Sequence, residues 1–177
     1  ADQWDKIAED MISAAEKLEQ AGAETGLIAT NTMHRVFEQV QASTSVPYIH
    51  ILDPVIEAVK KKGCSKPGVL GTLYTMTQDF YKDRLKSGGL SPMSPDPDDM
   101  AEVHNIILNE LVKGVITEES RTKYLAVIEN LKRKGADSII LGCTEIPLLI
   151  QQKYCDIPVF DTAVLHAEAA FKNSTVK

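Results

Sequence analysis

One stretch of this chain occurs twice. EKLEQAGAETGLIATNTM occupies residues 16–33 and ENLKRKGADSIILGCTEI residues 129–146, in a gapless register. Gly22 matches Gly135, Ala23 matches Ala136 and Leu18 matches Leu131. In each copy a helical pattern runs to the glycine, where a helix C-terminal glycine belongs, and a short apolar run follows. A duplicated half-molecule places its copies around a pseudo-twofold axis. Thr30 falls opposite Cys143 in this register, so the two are expected on facing walls of one cleft. The repeat continues downstream, with Val46-Pro47 after the first copy and Ile157-Pro158 after the second. Upstream it stops. A unit beginning Gly68-Val-Leu-Gly71 precedes the second copy, whereas the first has no counterpart. One strand-turn-helix unit is therefore expected to be missing before Ala1.

The remaining pattern alternates strands with helices. Helical spacing covers residues 3–21, through Trp4, Ile7, Ala8, Met11, Ile12, Ala15 and Leu18. Strands are expected over 25–29, 46–52, 68–71, 138–141 and 157–160, and helices over 34–41, 55–62, 75–85, 100–113, 118–134, 146–153 and 163–171. The Gly-, Pro-, Ser- and Asp-rich segment 87–99 reads as a mobile loop. Thr117, with acids at 118 and 119, reads as a helix start. Alternation of this kind means an α/β fold with parallel sheets, whose ligands bind beyond the carboxyl ends of the strands. The expected architecture is two pseudo-twofold-related, Rossmann-like parallel-sheet domains with the site between them. Lys66-Pro67-Gly68 marks a junction. It divides the chain into a first domain, 1–64 plus 158–177, and a second, 65–157.

Composition narrows the partners. Net charge is −6 and the longest basic run is Lys60-Lys61-Lys62, which argues against nucleic acid. No apolar stretch has membrane-spanning length. Cys64, Cys143 and Cys155 form an odd set without metal-like spacing, read as free thiols of a reducing cytoplasm. His34, His50, His104 and His166 share no ligand spacing either, and no Gly-rich nucleotide fingerprint occurs.

Thr30-Asn-Thr-Met-His34, Gly71-Thr72 with Thr75, Gly142-Cys-Thr-Glu145 and Asp161-Thr162 with His166 carry a family likeness. At these residues the chain resembles the aspartate/glutamate racemases that work without pyridoxal phosphate. It is most similar to the broad-specificity bacterial members with Thr at the first base position. The resemblance covers nearly all of the 177 residues. It implies interconversion of L- and D-aspartate or glutamate by two-base proton transfer. Cys143 and Thr30 would be catalytic, Asn31, Thr32, Met33, Thr72, Thr144 and Glu145 would bind substrate, and no cofactor or metal would be needed. The small acidic amino acid is the expected partner, with a homodimer admitted as an assembly. Family members begin with a strand and a Gly-rich turn that this chain lacks, so weak turnover is expected of it.

The residues support these roles unequally. Cys143 follows a strand and opens a helix, where amides and the dipole favour thiolate, and is expected to alkylate before Cys64 or Cys155. Thr30 is a poor base that can deliver a proton to a carbanion, or simply cap the next helix. Asn31, Thr32 and Thr144 offer donors for an α-carboxylate. Thr72 and Thr75 are weaker versions of the same, or helix caps. Glu145 suits a substrate ammonium group, the orientation of a partner, or the helix dipole alone. Two rivals stand beside the racemase: a one-cysteine decarboxylase or isomerase of the same superfamily, and an inactive remnant that binds a ligand or partner.

Overall fold

The computed structural model describes residues 3–175. The second copy of the repeat supplies the centre of the molecule. Strand β4 (Ser138–Gly142) lies between β3 (Pro67–Gly71) and β5 (Val159–Asp161), all parallel. The first copy supplies β1 (Gly26–Leu27), which pairs in parallel with β2 (Tyr48–Ile49). The two sheets repeat each other bond for bond where the sequences align. The Gly26 N–H donates to the Pro47 carbonyl at 3.0 Å, and the Ile139 N–H donates to the Pro158 carbonyl at 2.8 Å. Each is preceded by the same helix ending. After α1 (Trp4–Gln20), Gly22 takes φ +85° and the Ala23 N–H closes on Leu18. After α7 (Glu118–Arg133), Gly135 takes φ +102° and the Ala136 N–H closes on Leu131. Only glycine adopts that backbone cheaply, which is why it stands at both places.

Strands β3 and β4 are buried along their whole length, as a near-continuous apolar run in a parallel sheet implies. Their side chains alternate between two cores. Leu70, Ile139 and Leu141 face α6 (Pro97–Asn109) and α7, packing on Val103, Ile107, Tyr124 and Leu131. Val69, Ile140 and Phe160 face the other way, onto α3 (Leu52–Lys61) through Leu52, Val55 and Val59. The first-half helix α3 thus covers the second sheet, and one core runs across the sequence junction at 64/65. The strand at 159–161 pairs with β4, which places it in the second sheet. It is α9 (Thr162–Thr175) that returns to the first half, where His166 Nε2 donates to the Ile49 carbonyl at 2.7 Å. A smaller core joins α1 to α2 (Phe37–Ala42) through Ala8, Ala15, Val36 and Val40.

Several expected elements differ; the strand over 46–52 shrinks to Tyr48–Ile49, and three further differences have a visible cause. The helix at 75–85 is two helices, α4 (Leu73–Thr77) and α5 (Asp79–Ser87), broken where Gln78 extends at φ −78°, ψ 144°. The break has a packing reason: Met76 joins one core, whereas Tyr81 and Leu85 join the core across the sheet. The helix at 146–153 shortens to α8 (Ile146–Leu149) plus a 3₁₀ turn. There the Gln152 side chain binds the carbonyls of Cys155 and Ile157 and the Val159 N–H. The loop at 87–99, expected to be mobile, is tied to the free edge of β3. Met93 donates to Pro67 at 2.8 Å and accepts from Val69 at 2.9 Å, which blunts that edge.

Candidate active site

The repeat-equivalent turns after β1 and β4 together line a cleft of about 340 Å³. Thr30, Asn31 and Thr32 form one wall, and Gly142, Cys143, Thr144 and Glu145 form the other. Thr72, after β3, closes one side, and Ile107, Leu108 and Val112 supply an apolar wall. Those three escaped the sequence reading because nothing in an amphipathic helix marks which apolar residue will overlook a cleft. Among the expected site residues only Met33 is absent from the lining; it is half-buried in the 3₁₀ turn Thr32–Val36. Thr75 is fully buried, 3.4 Å from the Thr72 hydroxyl.

Cys143 departs from the expectation for its thiol. Its Sγ donates to Glu145 Oε2 at 2.9 Å. Burial, followed by that carboxylate, pushes the thiol up to about 12, against the opposing pull of the Glu145 and Thr144 amides. The helix that was to stabilise a thiolate, α8, has only four residues, so its dipole is weak. Cys143 therefore rests as a protonated thiol, and rapid alkylation is not expected of it. Burial raises Glu145 in turn, but the bonds from Cys143, Thr144 and its own amide outweigh this and hold it below the usual carboxylate value. The pair is a neutral thiol hydrogen-bonded to an ionised carboxylate. The close fit behind it requires Gly142, where a Cβ would stand 3.0 Å from both the Leu70 carbonyl and the Tyr81 hydroxyl.

The Thr30 turn is anchored from below. His34 Nδ1–H donates to the Thr30 carbonyl at 2.8 Å, and its Nε2 accepts from the Ile51 N–H at 3.0 Å. That pairing fixes the neutral tautomer. His50 and His166 lie within ring contact, at 4.5 and 5.8 Å from His34. Burial depresses all three, His34 to about 4. The histidines thus act as a neutral packed cluster. Among the described residues, no group of three His, Cys, Asp or Glu is placed to hold a metal ion. No helix among them is long and apolar enough to cross a membrane.

A family model described as Asp/Glu/Hydantoin racemase matches residues 1–170. The chain belongs to this racemase family. It is 26% identical over 168 residues to a broad specificity amino-acid racemase of Bacillus subtilis (strain 168), covering 93% of this chain and 71% of that one. Among solved structures it is similar to an Asp/Glu racemase candidate from Yersinia pestis. That match has a TM-score of 0.92 and 42% identity, and covers 97% of this chain and 75% of that one. An aspartate racemase homologue from Pyrococcus horikoshii OT3 matches with a TM-score of 0.89 and 36% identity over 97% of this chain and 76% of that one. The family is one of isomerases acting on amino acids, and the two-sheet α/β architecture is its fold.

Proposed function

We propose that the protein racemises an acidic α-amino acid, aspartate or glutamate, by two proton transfers without a cofactor. One observation carries this reading: residues at equivalent positions of an internal repeat, Thr30 and Cys143, line a single cleft. An α-carbon between them can lose its proton to one group, become a planar carbanion, and take a proton from the other group on the opposite face.

The steps follow from the groups present. The hydroxyls of Thr32, Thr72 and Thr144 hold the α-carboxylate. Glu145 takes the thiol proton along the existing 2.9 Å bond. The thiolate so formed removes the substrate's α-proton. The electron pair spreads into the carboxylate, where the surrounding donors stabilise it. The Thr30 hydroxyl then gives its proton to the opposite face and recovers one from water in the cleft, and the proton held on Glu145 neutralises the hydroxide left behind, which restores the resting carboxylate beside the Cys143 thiol. The reverse direction runs the same steps backwards. This assigns Glu145 to its neighbour Cys143 rather than to the substrate ammonium group. The three free cysteines fit a reducing compartment, so we place the reaction in the cytoplasm.

The test is incubation with L-aspartate and, separately, L-glutamate in deuterium oxide, with the α-hydrogen followed by NMR. Two-sided transfer gives accumulating D-enantiomer that carries deuterium at Cα, and Cys143→Ser abolishes it. Exchange that never inverts the centre would leave a one-sided thiol chemistry instead. No exchange of either amino acid would remove the proposal.

A further inference from the structure

A buried chain of side chains ties the two walls of the cleft together. Asn31 follows Thr30 directly, yet its amide is directed into the protein. Its Nδ2 donates to Thr162 Oγ1 at 3.0 Å, and the Thr162 hydroxyl donates to the Leu141 carbonyl at 2.9 Å. Leu141 lies two residues before Cys143 on β4. On the other side, the Tyr81 hydroxyl donates to Asn31 Oδ1 at 2.9 Å. The same hydroxyl packs against Gly142. Asn31 is 4% exposed, and Thr162 and Tyr81 are fully buried. Neither Thr162 nor Tyr81 lines the cleft. Two routes therefore lead from Asn31 to the backbone that carries the thiol.

We infer that Asn31, Thr162 and Tyr81 form a strut that sets the separation of Thr30 and Cys143, so that Asn31 is a positioning residue. This rests on the two-base reading. A side chain that binds the α-carboxylate makes its contact in the cleft. Asn31 borders the cleft, yet both ends of its amide make contacts outside it. Buried hydrogen bonds of this kind are directional and costly to leave unmade, so they fix geometry where apolar packing alone tolerates sliding. A misplacement of about 1 Å between reacting groups costs on the order of a hundredfold in rate.

Thr162→Val and Tyr81→Phe delete the two routes while keeping side-chain volume, and they leave the cleft lining untouched. Each is expected to lower kcat by about ten- to a hundredfold with KM within about twofold, while Thr162→Ser restores the parent rate. A rise in KM at constant kcat would overturn the strut. A second measurement does not depend on turnover. In a chain carrying Thr30→Cys, Cys64→Ser and Cys155→Ser, dibromobimane, a short thiol–thiol cross-linker, joins residue 30 to residue 143. Adding Thr162→Val or Tyr81→Phe is expected to slow cross-linking several-fold. Equal rates with and without the strut would overturn the proposal. A parent chain that racemises nothing would sink the racemase reading alone, because the cross-linking ratio still decides the strut. If Thr162→Val fails to fold, Tyr81→Phe decides both measurements.

Discussion

Cys143 Sγ and Glu145 Oε2 stand 2.9 Å apart, and burial together with the bond between them holds the thiol protonated at rest. The carboxylate therefore has two opposite effects. It suppresses thiolate at rest and provides the acceptor that generates it during the reaction. Glu145→Gln is expected to raise the alkylation rate of Cys143 by iodoacetamide several-fold, because removal of the negative charge lowers the thiol pKa. The same substitution is expected to cut racemisation by about a hundredfold or more, the usual worth of a positioned general base. Parallel alkylation and turnover assays check this. Two rates that fall together would show Glu145 to be a structural support only.

Thr30 and Cys143 occupy equivalent positions with unequal chemistry. Thr30→Cys is expected to bring the L→D and D→L rates closer together, since a thiol both loses and donates a proton more easily than a hydroxyl. Thr30→Ala is expected to retain α-hydrogen exchange on the Cys143 face while losing inversion by about a hundredfold. Chiral chromatography run beside NMR exchange separates the two outcomes.

The buried histidines make stability depend on pH. Burial holds His34 at about 4, below the ordinary value near 6.5, and depresses His50 and His166 too. Arg84 adds to the depression of His34 and His50, while Asp53 opposes that of His166. The unfolded chain thus binds more protons than the folded one between about pH 4 and 6.5. The stability of the neutral cluster is complete above that window and lost as pH falls through it. Each histidine costs up to about 1.4 kcal/mol per pH unit there. Urea unfolding midpoints at pH 7.5, 6, 5 and 4.5 should fall progressively, and His34→Gln should flatten the slope.

The single tryptophan reports on the two halves. Trp4, on α1, meets Tyr74, on α4, edge to face with centroids 5.9 Å apart, and the Arg35 guanidinium lies 4.5 Å above the indole. Any ligand that draws the walls of the cleft together changes this contact. D- or L-aspartate is expected to shift Trp4 emission, and Tyr74→Leu should remove most of that shift. A spectrum unchanged by saturating substrate would mean that the halves do not move against each other.

Much of this molecule was legible before any fold was known. The duplicated register put Gly22 and Gly135 at helix ends and paired Thr30 with Cys143, because both depend on local backbone rules and on sequence spacing. The buried strands were legible as apolar runs for the same reason. Other features were decided only by the tertiary structure. The break at Gln78 comes from Met76 and Tyr81 packing on opposite faces of a sheet, which no local pattern encodes. Asn31 has the composition of a substrate ligand, and its partners Tyr81 and Thr162 are distant in sequence. The Cys143 thiol is set by burial and a neighbouring carboxylate rather than by the helix that follows it. Local sequence fixes which groups are available, while desolvation and long-range hydrogen bonding fix their charge and direction, and those are properties of the packed chain alone.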